Sequence, residues 1–217
     1  MAKTTTRYAL PVASRGEWGQ TSSSLSLGQP IMGSATRGYG VILADPPWTW
    51  KTWSIKGSAK SASQYYSTME QGDLIDMPVN SLAASDSVLC LWVLNSMLDR
   101  GLELMSAWGF TYKTVGFCWT KTNPSGRGLH MGLGYHTRQN IELCLLGTKG
   151  KPKRMSGGVH QVIMSPRREH SRKPDEIYTR IERLVDGAYL EMFARQRWPG
   201  WDQWGDQTDK FEATSEG

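Results

Sequence analysis

A four-residue motif that directly follows an apolar run could carry chemistry on an amine. Residues 41–44 are typical of a buried strand, and Asp45-Pro46-Pro47-Trp48 comes next. An exocyclic amine on an aromatic ring is a poor nucleophile because its lone pair is delocalised into the ring. Two acceptors that hold both amine hydrogens favour the pyramidal form, which can attack a methyl group. Here the acceptors would be the Asp45 side chain and the Pro46 carbonyl, whose direction the prolines restrict in advance.

The last residue of the motif has two interpretations. Trp48 offers a flat face on which an extruded base could stack. The alternative is a turn that ends a strand and carries a packed tryptophan. Four residues leave both interpretations open.

A second segment, residues 132–142, places glycines, His136, an arginine and Glu142 before and inside an apolar run. His136 could be a base or a metal ligand, but no second ligand stands at metal spacing. This favours a histidine that is hydrogen-bonded in a loop, and we expect no metal site. Glu142 begins the run and is expected to have a structural role in an ion pair.

The positive charge is concentrated in one stretch of the chain. The net charge of the whole chain is +5, but residues 149–173 carry eight Lys or Arg and one acid, a local net charge of +7. Such a stretch indicates a polyanion partner, and the alternative is a solvated loop. The candidate nucleic-acid-binding residues are Lys149, Lys151, Lys153, Arg154, Arg167, Arg168 and Arg172.

Two further segments could bind a cofactor. The basic loop 165–173 enters a helix at Pro174, and a helix start is a natural anion site that could hold a carboxylate or a phosphate. A solvated capping loop is the alternative. In residues 190–195 and 200–207, a carboxylate or amide near a strand end could bind ribose hydroxyls, and aromatic rings could flank an adenine. An aromatic edge of the core would look the same.

The elements that must position these residues alternate between strands and helices. Apolar runs predict strands at 41–44, 88–93, 112–119, 141–146 and 188–193. One predicted helix has Leu98, Leu102 and Met105 on its inner face and stops at Gly109. Another opens at Pro174, carries an inner stripe of 177, 181, 184 and 185, and ends at Gly187. The alternation predicts an α/β sandwich with a largely parallel sheet, whose ligands bind beyond the carboxyl ends of the strands.

Length and composition predict one domain at 37–207, between a low-complexity extension, 1–36, and a polar tail, 208–217. No apolar run approaches the roughly 18 residues of a membrane span, and the first residues lack the apolar stretch of a secretory signal, so we expect a cytoplasmic location. The three cysteines, Cys90, Cys118 and Cys144, sit in separate apolar runs and are expected to be buried thiols.

Taken together and in order, these segments resemble the MT-A family of adenine N6-methyltransferases. The resemblance covers roughly residues 39–207 and is closest to its short bacterial and phage branch. Its marks are Ala44-Asp45-Pro46-Pro47-Trp48, Leu91-Trp92-Val93, Trp119-Thr120-Lys121-Thr122-Asn123, Glu142, Lys173-Pro174-Asp175-Glu176, Glu191-Met192-Phe193-Ala194-Arg195 and Trp204-Gly205-Asp206-Gln207.

The resemblance implies a Rossmann-like S-adenosylmethionine-dependent methyltransferase fold with permuted motif order. It implies catalysis by Asp45, Pro46, Pro47 and Trp48, and loops at 54–67 and 165–173 that gate the base pocket. The implied cofactor contacts come from Lys173, Glu191, Phe193, Arg195, Asp206 and Gln207. Asp206 stands where the family usually has asparagine, which would turn a donor into an acceptor.

The implied function is transfer of a methyl group from S-adenosylmethionine to adenine N6 in nucleic acid, with DNA favoured over RNA. Two alternatives stay open: an RNA adenosine N6-methyltransferase, and a non-catalytic nucleic-acid-binding partner subunit. Such partners tend to lose the catalytic Asp or Trp, and this chain has both. The sequence also leaves a homodimer open.

Overall fold

The computed structural model describes residues 38–49, 68–169 and 171–211. The predicted N-terminal extension, the predicted gating loop at 54–67 and the end of the predicted tail lie outside these ranges. The predictions for them therefore stay predictions.

In the described ranges, seven strands form one sheet. In chain order they are β1 (Tyr39–Ala44), β2 (Ala83–Val93), β3 (Thr111–Thr122), β4 (Ile141–Lys149), β5 (Val162–Pro166), β6 (Tyr189–Met192) and β7 (Trp201–Trp204). Their order across the sheet is β5-β3-β4-β2-β1-β6-β7. Sequence analysis identified five of these strands and missed β5 and β7, both of which lie at the outer sides of the sheet.

The direction of the strands determines where the site lies. The pairs β1–β2, β1–β6, β6–β7 and β3–β5 are parallel, whereas β4 runs antiparallel to both of its neighbours. Six strands therefore end at one edge, called here the C-terminal edge, and β4 alone begins there. This confirms the predicted α/β fold with a largely parallel sheet and brings Asp45, Glu142 and Phe193 to the same edge.

Helices cover both faces of the sheet. They are α1 (Gln71–Ile75), α2 (Val79–Leu82), α3 (Leu98–Ala107) and α4 (Glu176–Leu184). Alternate residues of β1 enter different cores: Ile42 joins the core that includes Leu104 of α3, and Val41 joins the core that includes Ile177 of α4. Burial on both faces explains why the central strands read as continuous apolar runs.

The predicted inner face of α3 was wrong in part. Leu98 and Leu102 are 38% and 36% exposed, and the residues that pack inward are Gly101, Leu104 and Met105. A Cβ on Gly101 would lie 2.4 Å from Val93 Cγ1, so the missing side chain lets the helix approach β2. A pattern of large apolar residues cannot identify a buried glycine. The sequence prediction therefore placed the inner face of α3 about one residue away from its position in the structure.

The prediction for α4 was confirmed in its inner stripe. Ile177 and Ile181 are buried, as is Val185 directly after the helix. Gly187, at a φ of 152°, lies just beyond. Cys90 and Cys144 are buried free thiols as expected, whereas Cys118 is only half-buried. No helix in the described ranges is long and apolar enough to cross a bilayer.

Candidate active site

The loop that follows β1 is fixed by backbone hydrogen bonds. Asp45 N–H donates to the Met192 carbonyl of β6 at 3.4 Å, and Trp48 N–H donates to the Pro46 carbonyl at 2.9 Å. Met69 N–H donates to the Pro47 carbonyl at 2.8 Å. The Pro46 carbonyl has a second lone pair, so it can still accept from a substrate.

Trp48 is packed in this structure. Its side chain is 5% exposed, belongs to the core on the α3 side, and donates from Nε1 to the Trp92 carbonyl at 3.3 Å. This matches the packed-tryptophan interpretation. A stacking role would require its ring to be uncovered and stays a prediction.

Asp45 belongs to a row of alternating charges. Lys173 Nζ lies 2.7 Å from Asp45 Oδ2 and 3.4 Å from Glu142 Oε2. Glu142 Oε1 is also paired with Lys121. These four side chains, Asp45, Lys173, Glu142 and Lys121, are called here the charge cluster. Each is at most 19% exposed, so the ion pairs are sheltered from water.

The electrostatics of the charge cluster favour the ionised forms of Lys173 and Glu142. Burial alone would lower the pKa of Lys173, but the carboxylates of Asp45 and Glu142 outweigh it and the pKa is raised. Burial alone would raise the pKa of Glu142, but the ammonium groups of Lys173 and Lys121 outweigh it and the pKa is lowered. Glu142 thus has the ion-pair role expected from the sequence.

The loop before α4 holds Lys173 in place. The Arg168 guanidinium donates to both carboxylate oxygens of Asp175, at 2.6 and 2.8 Å, and to the Lys173 carbonyl at 2.6 Å. The Arg172 guanidinium lies 5.1 Å from the ring of Phe211. Arg168 therefore fixes the direction from which Lys173 reaches Asp45.

A shallow cleft opens beside the charge cluster, and the space in it is about 310 Å³ when the open solvent at its mouth is included. It gathers residues from the ends of β1 and β6, from the loop before α4 and from α4 itself. Its lining residues are Asp45, Ser171, Arg172, Lys173, Tyr178, Glu191, Phe193, Arg195, Gln196 and Phe211.

Glu191 is the unusual acid of this cleft. Burial raises its pKa to about 8, although a hydrogen bond from Tyr178, at 2.8 Å, opposes the rise. Gln196 Nε2 donates to the Tyr178 hydroxyl at 3.2 Å, so the phenol is fixed in its donor direction. Burial and the neighbouring Glu191 also raise the pKa of Tyr178. A perturbed carboxyl in a cleft is a common mark of a functional site.

The chain turns sharply where β6 ends. Phe193 has a φ of +63°, a conformation that costs a non-glycine residue energy and is often found at functional sites. Its ring packs edge-on against Trp204, with centroids 5.4 Å apart. A Cβ on Gly205 would lie 2.6 Å from the Ala194 carbonyl oxygen, so only glycine fits between the two strand ends.

The structure brings together four of the six predicted cofactor residues. Lys173, Glu191, Phe193 and Arg195 all line the cleft. Asp206 and Gln207 follow β7 at the same edge, with Asp206 exposed and Gln207 half-buried.

The predicted nucleic-acid residues divide into two groups. Arg167, Arg168 and Arg172 lie at the C-terminal edge, in the segment between β5 and α4. Residues 149–154 begin where β4 ends, which is the opposite edge, about 23 Å from Glu142 along the strand. There Lys149 Nζ donates to the Asn80 carbonyl at 3.0 Å. The basic stretch of the sequence is therefore not one surface: Lys149, Lys151, Lys153 and Arg154 are separated from Asp45 by the depth of the sheet.

Sequence reasoning missed several residues of the site. Lys121 is the penultimate residue of β3, which runs parallel to β1, and this position was the signal that could have placed it near Asp45. Tyr178 and Gln196 gave no such signal, because their roles depend on how α4 packs against β6. His136 is exposed, with its ring edge-on to Tyr135 at 4.5 Å.

Comparison with known proteins gives a consistent result. A family model described as MT-A70 matches residues 39–207. The chain is 33% identical over 187 residues to "Type II methyltransferase M.MunI" of Mycoplasma sp, an alignment that covers 77% of this chain and 76% of that protein.

Longer eukaryotic proteins match the same part of the chain. It is 34% identical over 184 residues to "N(6)-adenosine-methyltransferase MT-A70-like" of Arabidopsis thaliana, covering 82% of this chain and 25% of that protein. It is 32% identical over 178 residues to the human "N(6)-adenosine-methyltransferase catalytic subunit METTL3", covering 79% of this chain and 28% of that protein. The chain thus spans about a quarter of the eukaryotic relatives.

Proposed function

The chain belongs to the MT-A70 family of S-adenosylmethionine-dependent adenine N6-methyltransferases, and from this premise we propose that it methylates adenine N6 in DNA. The observation that carries the proposal is the position of Asp45. Its carboxylate lies at the C-terminal edge, lines the cleft, and is held by Lys173 at 2.7 Å beside a restrained Pro46 carbonyl. Two acceptors at adjacent residues suit an amine that donates hydrogen bonds from both of its N–H groups.

The lining of the cleft fits S-adenosylmethionine by its chemistry. That molecule carries a carboxylate, a sulfonium, ribose hydroxyls and an adenine ring. Lys173 and Arg195 supply cations for the carboxylate, and Glu191 supplies an acid that can accept from ribose hydroxyls. Phe193 adds an aromatic ring for the adenine. We assign Lys173, Glu191, Phe193 and Arg195 to cofactor binding, with Asp206 and Gln207 as further contacts from the end of β7.

When bound, the cofactor supplies an electrophilic methyl group. The protein would contribute positioning and charge complementarity rather than a covalent intermediate. Asp45 would accept one amine hydrogen through a lone pair not used by Lys173, and the Pro46 carbonyl would accept the other. A strong general base is not required, because the amine proton becomes acidic only as the new bond forms.

Two observations favour DNA as the polymer. The alignment with the type II methyltransferase covers about three quarters of both chains, whereas the N(6)-adenosine-methyltransferases are matched over about a quarter of their length. The compact chain also resembles the bacterial and phage branch, in which methylation of DNA is the commoner use. The names of the eukaryotic relatives make RNA adenosine the second candidate.

A non-catalytic role as a partner subunit is less well supported. Asp45 and Trp48 are both present, and Asp45 lies in an organised charge cluster that opens on a cleft. We therefore assign the methyltransferase domain to residues 37–207.

One experiment tests the proposal. The protein is incubated with methyl-labelled S-adenosylmethionine and either unmethylated plasmid DNA or total RNA, and the product is digested to nucleosides and separated. We expect label in N6-methyldeoxyadenosine. Label in N6-methyladenosine alone would favour the RNA candidate, and no label with either polymer, while the cofactor still binds, would favour the partner subunit.

A further inference from the structure

The chain turns back on itself after β7. Lys210 N–H donates to the Gln207 carbonyl at 3.0 Å, and Lys210 Nζ donates to the side-chain oxygen of Gln207, also at 3.0 Å. Residues 207–211 are called here the C-terminal turn. The match to the family model ends at residue 207, so the motifs that mark the family assign no role to residues 208–211.

Two contacts fasten the C-terminal turn to the segment that follows β6. Phe211 N–H donates to the Arg195 carbonyl at 3.0 Å. Asp209 Oδ1 accepts from Arg197 Nε at 2.8 Å, and both of these side chains are exposed. An exposed ion pair adds little stability by itself, so the backbone bond is the firmer of the two contacts. Together they place Phe211 beside the end of β6.

Phe211 joins two segments that line the cleft. On one side, the Arg172 guanidinium of the loop before α4 lies 5.1 Å from the centroid of its ring, which is within the range of a cation–π interaction. On the other side, the backbone of Phe211 is bonded to Arg195, which follows β6. Phe211 lines the cleft together with both arginines. It therefore completes the wall of the cleft between the loop before α4 and the end of β6.

The arginine beside the ring has an unused donor. Arg172 Nη1 lies 3.3 Å from both carboxylate oxygens of Glu169, whereas Arg172 Nε is buried and makes no hydrogen bond among the described residues. Buried donors are nearly always paired, with protein, ligand or ordered water. Because Arg172 also lines the cleft, a molecule bound in the cleft is a natural partner for this N–H. The donor and the ring of Phe211 thus point to the same occupant.

We propose that Phe211 is a further cofactor-binding residue, whose ring lies against S-adenosylmethionine in the cleft. The proposal rests on the assignment of the cleft to that cofactor, made under the proposed function, and adds a residue from beyond the family motifs. An aromatic ring offers a large apolar surface with only two rotatable bonds, so it covers a bound molecule at a low cost in entropy. Phe211 is half-buried in the wall of the cleft, which suits a small molecule better than a nucleic-acid strand.

The test compares the full wild-type chain with Phe211→Ala and Phe211→Tyr. Calorimetry measures the binding of S-adenosylmethionine in the absence of nucleic acid. We expect Phe211→Ala to raise the dissociation constant on the order of tenfold, because the apolar contact is lost. Phe211→Tyr keeps the ring and should restore binding close to that of the wild type. Tyr112→Ala is the matched control, because Tyr112 is an exposed aromatic residue near the start of β3, at the opposite edge, and should not affect binding.

Two further readouts separate binding from folding. The first is the melting temperature of each cofactor-free variant, which should stay close to that of the wild type because the C-terminal turn lies outside both cores. The second is steady-state methylation at saturating nucleic acid. Phe211→Ala should raise KM for the cofactor and leave kcat nearly unchanged, because the ring contacts the cofactor equally in the ground state and in the transition state. A merely structural role would lower the melting temperature and leave this KM unchanged.

Three outcomes would overturn the role of Phe211. The first is an unchanged dissociation constant in Phe211→Ala. The second is a loss in Phe211→Tyr as large as that in Phe211→Ala, which would show that the ring is not the contact. The third is weaker binding of a labelled DNA oligonucleotide by Phe211→Ala, measured by fluorescence anisotropy, with cofactor binding unchanged, which would assign the ring to nucleic acid. A wild type that binds the cofactor through Phe211 but transfers no label to DNA would refute the proposed function alone.

Discussion

Lys173 Nζ lies 2.7 Å from Asp45 Oδ2, although the two residues are 128 positions apart in the chain. The contact joins the loop before α4 to the end of β1. It pairs Lys173, a proposed cofactor-binding residue, with Asp45, the proposed catalytic residue. A change at either residue should therefore affect both functions, but to different degrees.

Asp45→Asn should reduce the methyl-transfer rate on the order of a hundredfold or more, because one acceptor oxygen becomes a donor and the charge is lost. Cofactor affinity should fall much less. Single-turnover rates and calorimetry measure the two effects. Asp99→Asn, on the exposed start of α3, is the control. Wild-type turnover by Asp45→Asn would remove this residue from the mechanism.

Lys173→Ala should raise the cofactor dissociation constant more than it lowers the saturated rate. It also leaves the carboxylates of Asp45 and Glu142 without their shared cation, so the free energy of unfolding should fall by about 3 kcal/mol. Denaturant unfolding measures the second effect. Lys113→Ala, at an exposed position of β3, is the control. Unchanged cofactor binding in calorimetry would instead assign Lys173 to nucleic acid.

Glu191 should make the stability of the cofactor-free protein depend on pH. Its pKa is about 8 in the folded chain, against 4.5 ordinarily, so the folded state keeps a proton that the unfolded chain has lost. Stability should therefore fall as pH rises from about 4.5 to about 8, by at most about 1.4 kcal/mol per pH unit. Urea unfolding at several pH values, compared with Glu191→Gln, isolates this slope. Glu70→Gln, at an exposed position, should keep the pH slope of the wild type. If Glu191→Gln showed the same slope as the wild type, the slope would not come from Glu191.

The choice of polymer can be tested with matched DNA and RNA oligonucleotides at one fixed salt concentration. We expect faster formation of N6-methyladenine in DNA. Fixed salt is essential, because contacts with phosphates weaken steeply as salt rises. A clear preference for RNA would overturn the substrate while leaving the chemistry at Asp45 intact.

Gly101→Ala should destabilise the fold even though alanine is the better helix former by about 1 kcal/mol. The added Cβ would lie 2.4 Å from Val93 Cγ1, and overpacking of this kind typically costs about 1–3 kcal/mol. Gly72→Ala in α1 is the matched control, since a Cβ there meets nothing within 4 Å. Equal melting temperatures for the two variants would contradict this account of how α3 packs.

The sequence predicted the central strands and α4 because their apolar patterns are strong and local. It also placed Asp45 directly after a strand, and the ligands of a largely parallel sheet bind beyond the carboxyl ends of its strands. It did not predict β5 and β7, since short strands at the sides of a sheet carry little apolar pattern. The separation of Lys149 from Arg168 depends on the antiparallel direction of β4, which no charge pattern records.

The two outermost strands are β5, with five residues ending in Pro166, and β7, with four. An open strand side is a template on which another chain can add a strand, and its capacity grows with its length. Both edge strands are short, and β5 ends in a proline, which has no N–H to donate. They therefore offer a neighbouring molecule few backbone groups with which to pair. Within the part of the chain that the structure describes, these two sides of the sheet therefore offer few backbone groups for edge-to-edge pairing between copies.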